Sequence, residues 1–314
     1  MNIIDFRLAH ERIRPYVKRT PLERSETLSC HLGTNVYVKF ELFQKTGSFK
    51  PRGAFNKLLS LAEDERKRGV VAVSGGNHAQ AVAYVAKELG IDAVIAMPEN
   101  TPLNYLDATR RYGATVDLQP NIAAAFDKAN QYENEGRIFV HPFDDDNFIA
   151  GHGTMGLEIL EDAPDTTAVI AGIGGGGLIT GVGSAIKALK PQIKVWGAEP
   201  ETAAPAALSF KMGSPQVFKD WKLSFVDGAG GQSVFPRMWE RMKPVVDGYL
   251  VVSLEETKNA MRLMAEKSRI IAEGAGALSL AAALTGKAGQ GPIVAVVSGG
   301  NIDLKKFCEL VTGT

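Results

Sequence analysis

Short runs of β-branched residues alternate with helical stretches between residues 69 and 140, and this alternation leaves few folds open to the chain. The runs show little alternation of apolar and polar residues, which is typical of strands covered on both faces. Their separation by roughly 10 to 20 residues of helical spacing indicates parallel strands joined by crossover helices. Strands are predicted at 70–73, 93–96, 115–118 and 138–140.

The same pattern returns in the second half of the chain. Strands are predicted at 168–171, 193–196 and 293–297, and helices at 179–190, 254–267 and 274–284. A turn-rich acidic interval at 141–146 (HPFDDD) separates the two series. We therefore predict an α/β protein of two lobes, each an open, mostly parallel twisted sheet with flanking helices. The large domain is predicted at 1–68 and 147–314, and the small domain at 69–146.

The charge balance gives no indication of a nucleic-acid or membrane partner, because 35 basic residues match 35 acidic ones without a long block of one sign. Residues 1–14 lack the apolar core of a signal peptide, and no apolar run reaches the ~20 residues of a spanning helix. We expect a cytoplasmic protein in which Cys30 and Cys308 are reduced thiols. The histidines show no metal-ligand spacing, so no metal is predicted.

Lys50 lies in the segment 48–54 (SFKPRGA), which leads into a predicted helix. A single lysine at a helix start is ordinarily an exposed charge. Here Thr46, Gly47 and Ser48 predict a tight turn and a helix cap that hold the lysine in place. Phe49 suggests a partly desolvated setting, in which a neutral amine condenses with an aldehyde. Lys50 is therefore predicted to be a Schiff-base lysine.

Four glycines, Gly174, Gly175, Gly176 and Gly177, follow the predicted strand at 168–171 and precede Leu178. Several backbone N–H groups of such a turn can point at one anion, and the following helix adds its positive N-terminal end. Together with the lysine, this phosphate cradle indicates pyridoxal phosphate as the cofactor. A nucleotide-binding Rossmann loop is the alternative from another class, because residues 172–177 contain a G-x-G-x-x-G register. It leaves the lysine turn unexplained.

Two further loops follow predicted strands. Residues 74–78 form a second anion-binding loop that suits a substrate carboxylate; its members are Ser74, Gly75, Gly76, Asn77 and His78. The side-chain amide of Asn77 can also donate a hydrogen bond to a ring oxygen of the cofactor, whereas His78 is better explained by packing at a helix start. Ser298 lies at the carboxyl end of a strand, where ligands of open α/β sheets collect, although a plain turn also explains it.

These segments resemble the fold-type-II pyridoxal-phosphate enzymes, which are tryptophan synthase β-like, and in particular the branch of threonine/serine dehydratases and serine racemases. The motifs that carry the resemblance are 41–54 (ELFQKTGSFKPRGA) and 97–102 (MPENTP). The resemblance implies that Lys50 forms the Schiff base, Phe49 flanks the ring, Asn77 meets the ring hydroxyl and residues 174–178 hold the phosphate. It also implies that Gly228 and Glu273 line the cofactor pocket and that the enzyme is a homodimer.

By the same resemblance Ser298 hydrogen-bonds the pyridine nitrogen. A hydroxyl cannot keep that nitrogen protonated as a carboxylate would, which favours elimination of a β-leaving group. The expected activity is dehydration of a β-hydroxy amino acid, giving a 2-oxo acid and ammonia. Serine racemase and 3-hydroxyaspartate dehydratase are the alternatives. Small residues at 229–231 leave a bulkier substrate such as 3-phenylserine open.

Two positions depart from the family pattern. Gly75 stands where racemases of this branch carry a serine as acid/base on the opposite face, which counts against racemase activity. The segment 199–205 (EPETAAP) resembles the divalent-metal loop of these enzymes, but Pro205 stands at a position that usually supplies a carboxylate. A cation held by Glu199 and backbone carbonyls is the remaining option for that loop.

Overall fold

The computed structural model describes residues 2–313, and within them ten strands form two sheets. Met1 and Thr314, the outermost residues of the predicted large domain, lie outside the described residues. In chain order the strands are β1 (Leu22–Arg24), β2 (Val36–Phe40), β3 (Val70–Val73), β4 (Ala93–Pro98), β5 (Thr115–Gln119), β6 (Ile138–Phe139), β7 (Ala168–Gly172), β8 (Lys194–Pro200), β9 (Gly248–Val252) and β10 (Ile293–Val297).

Fourteen α-helices accompany these strands in the described part of the chain. The first seven are α1 (Ile3–Ile13), α2 (Glu26–Leu32), α3 (Lys50–Leu59), α4 (Glu63–Arg68), α5 (Asn77–Glu88), α6 (Leu103–Arg111) and α7 (Ile122–Asn134). The others are α8 (Asp146–Asp162), α9 (Gly177–Leu189), α10 (Pro205–Met212), α11 (Pro236–Met242), α12 (Leu254–Leu263), α13 (Gly274–Leu284) and α14 (Leu304–Thr312). None of these helices is both long and apolar enough to cross a bilayer.

The larger sheet has the order β1-β2-β10-β7-β8-β9, and the smaller sheet has the order β5-β4-β3-β6. All pairings are parallel except that of β1 with β2. The central strands β3 and β10 are buried along their whole length, as expected where helices cover both faces of a sheet. The predicted α/β class with two open, mostly parallel sheets is confirmed.

Three strands of the larger sheet were not predicted: β1, β2 and β9. In β2 the apolar pattern is interrupted by Lys39, whose side chain is fully buried because its ammonium group is paired with Glu158 at 2.6 Å. A lysine within a short apolar run counts against a buried strand, because lysines are rarely buried without a partner. The partner of Lys39 lies 119 residues away and cannot be recognised from the local sequence. The pairing is a tertiary contact that local sequence does not contain.

The packing around the smaller sheet includes residues from outside strands β3 to β6. Phe55 and Leu58 of α3 belong to the same apolar cluster as Val70 and Ile95. Helix α8 begins at Asp146 and packs against α3 and α9. The boundaries of the two domains at 68/69 and 146/147 stay a prediction.

Candidate active site

The loops that follow β3, β7 and β10 leave the carboxyl ends of parallel strands, where ligands of open α/β sheets bind. The turn that carries Lys50 is joined to the β10 loop, because Phe49 N donates to Ser298 O at 3.0 Å. A bridge between Ser48 and Gly299 adds to this connection. The predicted cofactor residues Phe49, Lys50 and Ser298 therefore lie together, although about 250 residues separate them in sequence.

Lys50 is the first residue of α3, and its side chain is half-buried. Its Nζ donates to Pro142 O at 2.7 Å and lies 5.1 Å from the ring centre of Phe49 and 5.4 Å from that of Phe148. No carboxylate among residues 2–313 is paired with this amine, and burial lowers the pKa of Lys50 to about 7. A substantial neutral fraction is thus present near neutral pH, which is the form that attacks an aldehyde.

The turn before Lys50 is held by backbone contacts. Thr46 has a left-handed φ of 61° and Gly47 a φ of 75°. Gly300 N donates to Gly47 O at 2.9 Å, and the side-chain amide of Asn301 donates to Thr46 O at 2.7 Å. The predicted tight turn is confirmed. The predicted cap is wrong: α3 has no side-chain cap, because Ser48 Oγ is buried and bonds no backbone N–H of the helix.

The glycine run at 174–177 forms the turn between β7 and α9, as predicted. Gly176 has a φ of 88°, a backbone conformation that favours glycine. A Cβ at position 174 would lie 2.6 Å from Gly228 O, so these two predicted cofactor residues are neighbours. A Cβ at Gly175 would collide with the ring of Phe143, and one at Gly177 would lie in tight contact with the same residue at 3.0 Å. Leu178 is buried in the apolar core, which leaves only its backbone for a phosphate.

Asn77, at the start of α5, connects the two sheets. Its amide donates to Glu273 Oε1 at 2.7 Å, and its Oδ1 accepts from Asn301 Nδ2 at 2.7 Å. The hydroxyl oxygen of Tyr105, in α6, lies 3.2 Å from Glu273 Oε2 and is also hydrogen-bonded to Asn301 O. Burial and the negative charge of Asp227 raise the pKa of Glu273 to about 8. The predicted residues Asn77 and Glu273 are therefore in direct contact.

The loop at 74–78 is stabilised from within. Ser74 Oγ accepts from Gly76 N at 3.0 Å, so this hydroxyl already has a partner. His78 is buried, with Nε2 2.9 Å from Val140 O and its ring against Phe148. Burial and the positive charge of Lys50 hold the pKa of His78 well below its usual value. The side chain of His78 thus fills a packing position, and only its backbone N–H is left for an anion at the start of α5.

Glu199 accepts hydrogen bonds from the start of a helix. Its two oxygens accept from Ala206 N at 2.9 Å and Ala207 N at 2.7 Å, so the carboxyl group sits at the N-terminus of α10. Burial nevertheless raises the pKa of Glu199 to about 7. Pro205 is the first residue of that helix. Within residues 2–313, no group of three or more His, Cys, Asp or Glu side chains is arranged to hold a metal ion.

Four residues near the site were not singled out from sequence: Thr101, Tyr105, Phe143 and Asn301. Asn301 follows the glycine pair at 299–300, so its position beside a ligand loop was available as a signal. Tyr105 reaches the loop at 74–78 through the packing of α6 against α5, and Thr101 reaches it from the turn between β4 and α6. Phe143 reaches the glycine turn from the segment between β6 and α8. No local pattern predicts these last three contacts.

The arrangement has the donor set that pyridoxal phosphate requires. A half-buried amine of lowered pKa can bond an aldehyde, and a glycine turn at a helix N-terminus can hold a phosphate. Gly174 lies so close to Gly228 O that any side chain would fill the turn. Fold and site together fit the class of α/β enzymes that use pyridoxal phosphate, with Lys50 and the glycine turn as the predicted positions of its aldehyde and phosphate.

Comparison with known proteins agrees with this class. Residues 13–299 match the family described as "Pyridoxal-phosphate dependent enzyme". The L-threonine ammonia-lyase of Thermotoga maritima is 43% identical over 98% of this chain and 77% of its own length. The chain belongs to the pyridoxal-phosphate dependent enzyme family, and its cofactor is pyridoxal phosphate.

Solved structures show the same fold. The structure of maize serine racemase has a TM-score of 0.93 at 34% identity and covers 99% of this chain and 97% of its own. The threonine deaminase of T.th. has a TM-score of 0.91 at 39% identity, with 97% of this chain and 99% of that chain covered. The predicted fold-type-II resemblance is therefore confirmed.

Proposed function

We propose that this chain is a threonine/serine-type ammonia-lyase, which removes water from a β-hydroxy amino acid and yields a 2-oxo acid and ammonia. The observation that carries the proposal is the 43% identity to an L-threonine ammonia-lyase over 98% of the chain. The site supports it with a lysine amine of pKa about 7 at the meeting point of the ligand loops. L-Threonine is the first substrate to test, and L-serine the second.

Each predicted site residue has a task in this proposal. The glycine turn at 174–177 and the start of α9 hold the phosphate, and Lys50 holds the aldehyde carbon. Asn77 meets the ring oxygen, Ser298 the ring nitrogen, and Gly228 and Glu273 close the pocket. The loop at 74–78 receives the α-carboxylate on the backbone N–H groups at the start of α5. When bound, pyridoxal phosphate supplies an electron sink for the α-carbon.

Lys50 Nζ is the proposed base that takes the α-proton. The lowered pKa suits this task, because a base whose pKa lies near the working pH is neutral and still basic. Loss of the α-proton and the β-hydroxyl group releases one water. Hydrolysis of the eliminated product consumes one water, so the net products are one 2-oxo acid and one ammonia.

Serine racemase is a second candidate, because the maize enzyme has a TM-score of 0.93 with this chain. Racemisation needs an acid/base group that donates or accepts a proton on the face of the α-carbon opposite Lys50. Gly75 carries no side chain, which favours elimination over racemisation. Chiral analysis of recovered serine tests this candidate directly, since a racemase would convert either enantiomer into a mixture.

The size of the substrate is a separate question. Ala229 is buried, and Gly230 O accepts from the indole N–H of Trp221 at 2.8 Å. The small residues at 229–231 leave room for a phenyl group. No arginine or lysine stands beside these glycines in sequence to pair with the second carboxylate of 3-hydroxyaspartate. 3-Phenylserine is therefore a better candidate than 3-hydroxyaspartate among the bulkier substrates.

The deciding experiment measures 2-oxo acid and ammonia from L- and D-forms of threonine, serine, 3-phenylserine and 3-hydroxyaspartate, with cofactor absorbance followed in parallel. We expect equimolar 2-oxobutanoate and ammonia from L-threonine. Cofactor absorbance without product from any substrate would overturn the lyase assignment while leaving the cofactor in place. Absence of that absorbance after incubation with pyridoxal phosphate would count against the Schiff-base lysine itself.

We further propose a homodimer in the cytoplasm, as the family resemblance implies. Sedimentation velocity of the holoenzyme tests the first point. A single species with the mass of one 33.7-kDa chain at micromolar concentration would contradict it.

A further inference from the structure

Thr101 lies in the turn between β4 and α6, beside the loop that we assign to the substrate carboxylate. Its backbone N–H donates to Pro98 O at 3.0 Å, which holds the residue in place. The residue is 8% exposed, and its hydroxyl group has no hydrogen-bond partner within residues 2–313. Thr101 thus offers a donor and an acceptor that the fold does not use.

This hydroxyl group faces the position where residue 75 has no side chain. A Cβ built on Gly75 would lie 2.8 Å from Thr101 Oγ1, and no other atom is as close. Tyr105, in α6, lies 3.9 Å from the position of a Cβ on Gly76. Thr101 and Tyr105 together therefore cover Gly75 and Gly76. The tyrosine hydroxyl is already bonded to Glu273 and Asn301, so Thr101 supplies the free hydroxyl of this wall.

A buried hydroxyl group without a partner is unfavourable for folding, and folded proteins keep few of them. Thr109, on α6, is equally buried, but its hydroxyl donates to Tyr105 O at 2.8 Å. The same short segment thus satisfies one buried threonine and leaves the other open. Violations of this kind are expected where a ligand completes the bonding.

We propose that Thr101 is a substrate-binding residue, whose hydroxyl group donates a hydrogen bond to the α-carboxylate of the amino acid held by the loop at 74–78. The inference rests on the proposed function, because the carboxylate is assigned to that loop there. The loop precedes α5, a helix of 12 residues whose positive N-terminal end favours an anion. A neutral hydroxyl donor beside it completes the shell of the carboxylate without adding charge.

The test uses L-alanine, which has the α-carboxylate but no β-leaving group, and follows cofactor absorbance of the holoenzyme during titration. Thr101→Val keeps the shape and removes the hydroxyl group, so we expect the Kd for L-alanine to rise about tenfold. Thr101→Ser should stay within about threefold of the wild type. The Tm of cofactor-free Thr101→Val should equal or exceed that of the wild type, because no protein hydrogen bond is lost.

Thr109→Val is the matched control, since it removes a buried hydroxyl group that has a protein partner. It should lower the Tm and leave the Kd for L-alanine unchanged. An unchanged Kd in Thr101→Val, or equal losses in Thr101→Val and Thr101→Ser, would overturn the inference. Alanine binding needs no turnover. A wild-type protein that binds alanine but releases no 2-oxo acid from threonine or serine would therefore refute the proposed lyase activity and still test Thr101.

Discussion

The amine of Lys50 loses its proton more readily than an ordinary lysine because of where its side chain lies. Phe49 and Phe148 exclude water from it, and its only hydrogen-bond partner among residues 2–313 is a neutral carbonyl oxygen, that of Pro142. Removing water penalises the charged form, and no nearby carboxylate in the described part of the chain restores it. The chemistry of this residue is therefore a property of its surroundings.

Uptake of pyridoxal phosphate by the cofactor-free enzyme should follow this titration. Only the neutral amine attacks the aldehyde, so the rate should rise with pH and level off above a midpoint of about 7. Stopped-flow absorbance across a pH range of about 5.5–9 measures it, with the pH-dependent ionisation of free pyridoxal phosphate taken into account. A rate that still rises about tenfold per pH unit at a pH of about 9 would show that burial does not act on this amine.

Two variants complete that experiment. Lys50→Ala should abolish lysine-bound cofactor absorbance and lower ammonia release by about 10²–10⁴-fold. Lys57→Ala, on the same helix, removes an amine that is paired with Asp145 at 2.6 Å and should keep both signals.

At the scale of elements, a buried ionic cluster joins α3 to α8 beneath the lysine turn. Arg52 of α3 bonds Glu158 of α8 at 2.7 and 2.8 Å and Glu41 at 2.9 Å, and Lys39 of β2 pairs with Glu158 as well. Two positive and two negative side chains thus balance in the core. Arg52 is two residues after Lys50, so the cluster also holds the start of α3.

Arg52→Ala should destabilise the protein by about 3–5 kcal/mol, because it leaves the buried carboxylate of Glu41 without a cation and Glu158 with Lys39 alone. Urea unfolding of the cofactor-free enzyme measures the loss. Arg19→Ala removes the exposed pairs with Glu161 and Asp162 and should cost less than about 1 kcal/mol. Similar losses in the two variants would mean that burial does not decide the strength of these pairs.

Local pattern predicted several of the buried strands, but it did not predict this ionic cluster. Strands β3 and β10 match predictions because four or five consecutive apolar residues have no other favourable place. Strand β2 was not predicted, because a lysine is expected at the surface unless its pairing with Glu158 is known. The cap predicted for α3 failed for a similar reason, because Ser48 is turned inward by its bridge to Gly299.

For the whole molecule, the contacts of Asn77 and Tyr105 with Glu273 join the helices of the smaller sheet to the larger one. Glu273 sits at the centre of this junction, where burial and the charge of Asp227 raise its pKa to about 8. At pH values between the unfolded-state and folded-state pKa of Glu273, the folded protein therefore holds a proton that the unfolded chain has released. Its contribution to stability is full below the unfolded pKa and is lost as pH rises through about 8.

Glu273→Gln should therefore change how stability depends on pH, because the glutamine side chain does not titrate. Between a pH of about 6 and one of about 9, the glutamine variant should gain at least about 1 kcal/mol of unfolding free energy relative to the wild type. Urea unfolding of the cofactor-free proteins at both pH values measures this, with the exposed Glu266→Gln as control. An equal difference between the two proteins at both pH values would contradict the raised pKa.

Local pattern determined the alternation of strands and helices, the glycine turn and the lysine segment, because each depends on residues within a few positions of one another. Only the tertiary structure decided which loops meet. Asn77 bonds Glu273 across 196 positions, Glu199 accepts hydrogen bonds from the N-terminus of α10, and Thr101 faces Gly75. These contacts depend on strand order and helix packing, which are driven by the burial of apolar side chains. The pattern of apolar residues does not indicate which distant polar side chains will meet as a result.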